Sequence, residues 1–247
     1  SGTGRNFMLG SLQGTGIVRP FANNQTLCVG GLNDNQTFSG NFVNNGVTLA
    51  LTKKGTGTFI VNGTGHTYTG PTNVEAGTLQ WDSTPLAGSN FTVWNGAILS
   101  GTGFINGKLI NNGTVMPGMP DVTGTPPSGS LSVAGTYTNP NGTGSLHIRS
   151  QAGAGESTQI EFGTIPNMNN TKLDVTITNF KSITTIEHPI VLAPLASTIP
   201  TGNNFIQTNI FVNGEKKIPF LDVETFVDPT QPDAIILKIT KPIAAYT

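Results

Sequence analysis

Gly57-Thr58-Phe59-Ile60-Val61, Gly77-Thr78-Leu79-Gln80-Trp81 and Gly96-Ala97-Ile98-Leu99 decide the fold of this 247-residue chain. Each opens on glycine, passes a small residue, and then alternates side chains in the manner of a short strand. Further copies read as Gly113-Thr114-Val115-Met116, Gly129-Ser130-Leu131-Ser132-Val133 and Gly144-Ser145-Leu146-His147-Ile148, with Gly46-Val47-Thr48-Leu49 as an earlier one. From Gly57 the starts are 20, 19, 17, 16 and 15 residues apart. That period is too short for helical repeats of about 33 to 47 residues and points to a β-solenoid. A coil of about 20 residues cannot bury its own inward face, whereas stacked coils align their strands in parallel about 4.8 Å apart and share one apolar column. Asn23-Asn24, Asn44-Asn45 and Asn111-Asn112 suit the corners between strands. At this period the chain predicts about 12 coils and a column of roughly 60 Å.

Outward from the ladder, composition divides the chain. Of the 32 glycines, 27 lie at or before Gly144, whereas 15 of the 25 Lys, Arg, Asp and Glu lie from Glu156 onward. Residues 1–155 therefore read as Gly/Asn/Thr-rich coils, and 156–247 as C-terminal coils and a capping segment continuous with them. Asn213-Gly214, between Asn209-Ile210-Phe211-Val212 and Lys217-Ile218-Pro219-Phe220, predicts a hairpin. Such a segment is the expected cover for an otherwise open sheet edge. No apolar stripe of helical period is present, so the fold class is all-β: a right-handed parallel β-helix with a C-terminal hairpin-containing cap. The unequal spacing and the repeated glycine at the strand start favour this over an antiparallel sandwich or barrel.

Charged residues are only 10% of the chain and the net charge is −1, so no basic stripe offers itself to nucleic acid or to an anionic membrane surface. The longest apolar runs, such as Ile190-Val191-Leu192-Ala193, are far short of the roughly 20 residues that span a bilayer. Ser1 begins no visible signal peptide, so the chain reads as a mature form or a cut-out segment. One cysteine, Cys28, excludes a disulfide framework and reads as a small buried hydrophobe.

Leu51-Thr52-Lys53-Lys54-Gly55-Thr56-Gly57-Thr58-Phe59, His66-Thr67-Tyr68-Thr69-Gly70-Pro71-Thr72 and Val74-Glu75-Ala76-Gly77-Thr78-Leu79-Gln80 together resemble the autotransporter-associated β-strand repeat. Leu99 to Gly103, Asn111 to Gly118, and Gly129 to Tyr137 resemble the coils that follow it in passenger domains. The sequence departs from the pattern at His66, where Asn often stands. The resemblance implies secretion to the bacterial cell surface through the outer membrane, an autochaperone-like C-terminal region, and a stalk serving adhesion or cell–cell aggregation. The implied partners are a host or neighbouring-cell surface or further copies of the chain, together with a β-barrel translocator if one is encoded downstream. Self-assembly into a fibre or sheath, and glycan binding or glycan chemistry, are the alternatives.

Residues for chemistry are sparse. Glu75 and Asp82, seven positions apart, are the closest acidic pair before residue 155 and read as solvated turn charges rather than a glycosidase couple. His66, His147 and His188 lack metal-ligand spacing, and His147, between Leu146 and Ile148, is expected to face outward. No GxSxG elbow supports a serine nucleophile, and Gly55-Thr56-Gly57 and Gly101-Thr102-Gly103 lack what a phosphate loop needs. Catalytic, cofactor and metal residues are therefore assigned to none. Tyr68, Trp81, Trp94 and Tyr137 are candidates for a sugar-stacking strip, since each ring offers a flat apolar face with a polar edge.

Overall fold

The computed structural model describes residues 5–118, 128–151, 156–178, 185–194, 197–200, 202, 205–212, 215–216 and 222–240. Among them every regular element is a strand, and the strands stack on three faces, in parallel apart from antiparallel pairs toward the C-terminal end. The first face stacks Arg5–Leu9, Gln25–Val29, Leu49–Lys53, Thr72–Val74, Phe91–Val93, Leu109–Asn111 and Tyr137–Thr138. The second stacks Gln36–Phe38, Thr58–Val61, Thr78–Trp81, Ile98–Gly101, Thr114–Pro117, Ser145–Gln151, Lys172–Thr178 and Gln207–Val212. The third has strands at Phe104–Ile105, Ser130–Val133, Gln159–Phe162 and Thr185–Leu192. The chain is a parallel β-helix.

Alternation along each strand builds the interior. On the second face the register aligns Phe59, Leu79, Leu99, Val115, Leu146 and Leu173 in one column, all buried. On the first, Leu27, Leu51, Thr72, Phe91, Leu109 and Tyr137 form another. Each inward side chain thus stacks on its equivalent one coil away, and apolar surface leaves water along the whole axis.

The register corrects the coil count. Gly57, Gly77, Gly96 and Gly113 do head consecutive rungs of the second face, with Thr58 opposite Thr78, Thr78 opposite Ile98 and Ile98 opposite Thr114. Gly129, however, heads a rung of the third face, and the next rung on the second face is Ser145, paired with Thr114. Gly46 likewise precedes a strand of the first face, and the true predecessor of Thr58–Val61 is Gln36–Phe38, which no glycine introduces. The second face therefore has eight parallel levels among the described residues rather than about 12, so that stack is roughly 35 Å long at the usual strand spacing. Later coils have longer strands on the third face, four residues at Ser130–Val133 and eight at Thr185–Leu192, where earlier coils have two-residue strands such as Ile17–Val18 paired with Asn41–Phe42.

Corners determine where glycine is required. A Cβ at residue 63 would lie 1.9 Å from the Gly40 oxygen, and one at residue 40 would lie 1.9 Å from the Gly16 oxygen, so backbone packs directly on backbone down this edge. Asn and Asp side chains complete other corners by accepting an amide of the following coil: Asn33 Oδ1 from Thr56 at 2.9 Å, Asn35 Oδ1 from Thr58 at 2.8 Å, Asp82 Oδ1 from Thr102 at 2.9 Å and Asn90 Oδ1 from Lys108 at 2.9 Å.

The C-terminal end is closed by antiparallel strands. Ala234–Thr240 pairs with Thr185–Leu192 on one side and Asp222–Val227 on the other. Gln207–Val212 turns back on Glu215–Lys216 with Val212 opposite Glu215, the hairpin expected at Asn213-Gly214. The turn itself and Lys217–Phe220 lie outside the described residues. The parallel ladder runs across the 155/156 division, since Ser145–Gln151 pairs with Lys172–Thr178.

Candidate functional site

Residues 51–80 fill one full coil and part of the next, since Leu51 pairs with Thr72 and Phe59 with Leu79, and each named group in them has a place in the stack. Leu51, Phe59, Val61, Val74 and Leu79 point inward and are buried. Gly55 turns at φ +69, and a Cβ there would lie 2.0 Å from the Gly30 oxygen. Lys53 continues the inward phase of Leu49 and Leu51 and is fully buried. Its ammonium donates to the carbonyls of Lys54 at 2.6 Å, Gly55 at 2.8 Å and Ala76 at 3.1 Å, tying two successive coils at one corner. Burial pushes its pKa down to about 8 against a rise from Asp34, so the group is charged at neutral pH. Sequence reasoning missed this clamp, although the alternation Leu49, Leu51, Lys53 was its signal. Next to it on the exposed side, Lys54 pairs with Glu75.

Tyr68 and Trp81 are fully buried, which corrects their assignment to a ligand-stacking strip. Their rings belong to an interior aromatic stack running through Phe38, Phe42, His66, Trp81 and Phe91, with successive centroids 4.9, 5.2, 5.2 and 5.1 Å apart. The polar edges are satisfied internally: Trp81 Nε1 donates to the Phe104 carbonyl at 3.0 Å, and the Tyr68 hydroxyl meets Thr72 Oγ1 at 2.6 Å, which continues to Ser89 at 3.0 Å. Burial pushes the Tyr68 phenol up to about 12. Tyr137 is likewise inward, its hydroxyl held by Asn111 and Thr171. Of the four rings only Trp94, on a corner turn closed by the Ala97 amide, is exposed. The strip fails because odd and even positions of one strand face opposite sides, and these rings took the inside phase.

Glu75 and Asp82 are both occupied: Glu75 by Lys54, Asp82 by the Thr102 amide and the Gln80 side chain. Among the described residues no cluster of three or more His, Cys, Asp or Glu is placed to hold a metal ion, and no helix is long and apolar enough to cross a membrane. Cys28 lies in the outward phase of the first face between Met8 and Thr52, yet it is buried, and burial raises its thiol pKa.

Polar side chains gather on the outer side of the second face. A hollow of about 260 Å³ is lined by Thr58, Thr78, Gln80, Ile98, Ser100, Met116 and Arg149. Gln80 donates through Nε2 to Asp82 at 2.5 Å, and its Oε1 is buried with no partner. An Arg149 guanidinium nitrogen donates to the Pro117 carbonyl at 3.1 Å. Farther along, His147 Nε2 lies 2.7 Å from Thr176 Oγ1, and Asp174 accepts from Asn209 at 2.7 Å. Burial lowers the His147 pKa, as Arg149 also does, while Asp174 raises it, leaving a neutral, outward-phase imidazole at pH 7. These groups can hydrogen-bond a ligand; none forms the carboxylate couple that glycoside cleavage needs.

A family model, the passenger-associated-transport-repeat, matches residues 51–80. No curated protein matches the chain. The matched span coincides with the Lys53 clamp, the His66 corner and the rungs from Leu51 to Gln80. Residues 51–80 are therefore similar to the passenger-associated transport repeat, which is typical of autotransporter passenger domains, and here they fold as coils of a parallel β-helix.

Proposed function

We propose that this chain is a non-enzymatic segment of a cell-surface passenger, a stalk that also templates its own folding during secretion and serves adhesion or cell–cell aggregation. One observation carries the reading: the matched repeat uses its lysine, glycines, aromatics and threonines to join one coil to the next. No residue among them is spent on a reacting group. The repeat family implies secretion to the cell surface, and the closed C-terminal end supports a folding role there. A coil laid on an already folded C-terminal neighbour gains an aligned interior and waiting amides for its Asn acceptors, so order propagates along the axis. The partner in this reading is a host or neighbouring-cell surface. The test is aggregation of beads coated with the purified chain, with and without added cells. Beads that neither clump nor bind cells would remove adhesion from this segment and leave the stalk role alone.

Glycan binding on the outer second face is a second reading, favoured by the hollow at Gln80. Its unpartnered Oε1 asks for a donor such as a sugar hydroxyl, and Ile98 and Met116 offer an apolar floor for a pyranose ring. A glycan array probed with the chain and with Gln80→Leu tests it: a signal lost in the variant supports the site, and an array blank for both excludes it.

A further inference from the structure

His66 sits where a titratable group is least expected. Its ring is fully buried between the rings of Phe42 and Trp81, 5.2 Å from each and inclined by 18° and 28°. Tyr68 meets it edge-on at 6.2 Å. The Phe42 amide donates to Nδ1 at 2.9 Å, so the proton of the neutral ring resides on Nε2, which is buried with no partner. The same corner is fastened to both neighbouring coils: the Thr67 amide donates to the Phe42 carbonyl at 2.9 Å, and the Leu86 amide to the His66 carbonyl at 2.8 Å.

We infer that the His66 corner is an acid-sensitive latch, in which protonation of the ring opens the coils holding Phe42, His66 and Trp81 together. A second ring proton must go on Nδ1, where it faces the Phe42 N–H. Two donors then point at each other and that bond is lost. The new charge would lie among aromatic rings with no counter-ion. From the coil above, Phe42 presents only its ring and amide. From the coil below, Trp81 presents its indole, while Asp82 beside it is turned to Gln80 and the Thr102 amide. Tyr68 is the one other titratable group in ring contact, and its hydroxyl is engaged with Thr72. Cation–π attraction from two rings offsets only part of the cost of burying an unpaired charge. Burial accordingly pushes the His66 pKa down to about 4. The unfolded ring titrates at its ordinary value near 6.5. Between those values the open chain binds the extra proton, so acid favours opening. The coils around Phe38, Phe42, Trp81 and Phe91 open first, ahead of the C-terminal coils, where Asp174 offsets part of the burial of His147, a pH response separate from the stalk role.

Hydrogen exchange and histidine NMR on the whole chain from pH 7.5 to 4 test this. The expected result is a His66 ring neutral down to about pH 4. Exchange at the Phe42, Thr67 and Leu86 amides, corrected for intrinsic rate, should rise by about tenfold per pH unit below 6.5. Amides from Ile148 to Gln151 and from Leu173 to Ile177, beside the half-buried His147 with Asp174 as its neighbour, should lose protection less steeply. His66→Asn retains an acceptor for the Phe42 amide without titrating, and should abolish the slope. A His66 that titrates near 6.5 with the Phe42 amide still protected would overturn the latch, as would an unchanged slope in the variant. If the variant does not fold, the wild-type titration and exchange decide.

Discussion

The first and last described coils differ in how they are covered. At the N-terminal end the rung Arg5–Leu9 is exposed at every position, Phe7, Met8 and Ile17 face solvent, and a hollow of about 310 Å³ opens among Phe7, Leu9, Val18, Phe21 and Leu27. At the other end Ala234–Thr240 is flanked by strands on both sides, and its inward Ile235, Leu237 and Ile239 complete the core. Between the ends the interior changes as well. The repeat coils use three- to five-residue strands, an aromatic stack and many corner devices. The last coils use strands of up to eight residues and an aliphatic core. Long strands derive order from their backbone ladders. Short rungs need lysine, asparagine and glycine to hold each corner in register. In the proposed folding role, the C-terminal coils stand first and the repeat coils add to them.

The widest effect is expected from Leu237→Asp. It places a charge in the strand that both flanking strands share, at a cost of more than about 4 kcal/mol. Loss of β-signal in circular dichroism along the whole chain would support the closed end as the foundation; retained repeat coils would break the comparison. Leu79→Asp carries a similar local cost of about 4 kcal/mol in the middle of the second-face column. Hydrogen exchange should show coils near residues 59–99 opened with Leu146 to Ile177 still protected. Collapse of both halves would mean that the two ends are not separable. Val133→Asp, one rung into the third face, should lie between the two. Lys53→Met removes the corner clamp and leaves three carbonyls short of a donor, about 1–3 kcal/mol in a denaturant midpoint. Because burial sets the folded Lys53 near 8 against 10.5 when unfolded, the unfolded chain holds the extra proton between those values. Wild-type stability therefore carries an upward contribution as pH rises from 8 to 10.5, which the Met variant lacks. Trp94→Ala, on an exposed corner, should change stability by less than about 0.5 kcal/mol. A larger loss would give Trp94 a packing role that its exposure does not suggest.

Much of this was legible in residues. Gly57, Gly77, Gly96 and Gly113 introduce successive rungs as their spacing says, and Val212 opposite Glu215 follows from Asn213-Gly214. The site was less legible. Tyr68, Trp81 and Tyr137 look like ligand platforms because aromatic rings serve interiors and surfaces alike. Lys53 looks like a surface charge because its three carbonyl partners come from a turn and from the next coil.

By itself the sequence determined the class of fold: glycine-headed, alternating segments too short to bury themselves can only be satisfied by stacking in parallel. The tertiary structure alone decided which face each segment joins, and with it the number of coils. The physical reason is that a two-residue alternation is the same on every face, whereas corner length places Ser130–Val133 on the third face and Ser145–Gln151 over Thr114–Pro117. It also decided that His66 and Lys53 are enclosed, because their burial depends on residues 20 or more positions away that only the wound chain brings into contact.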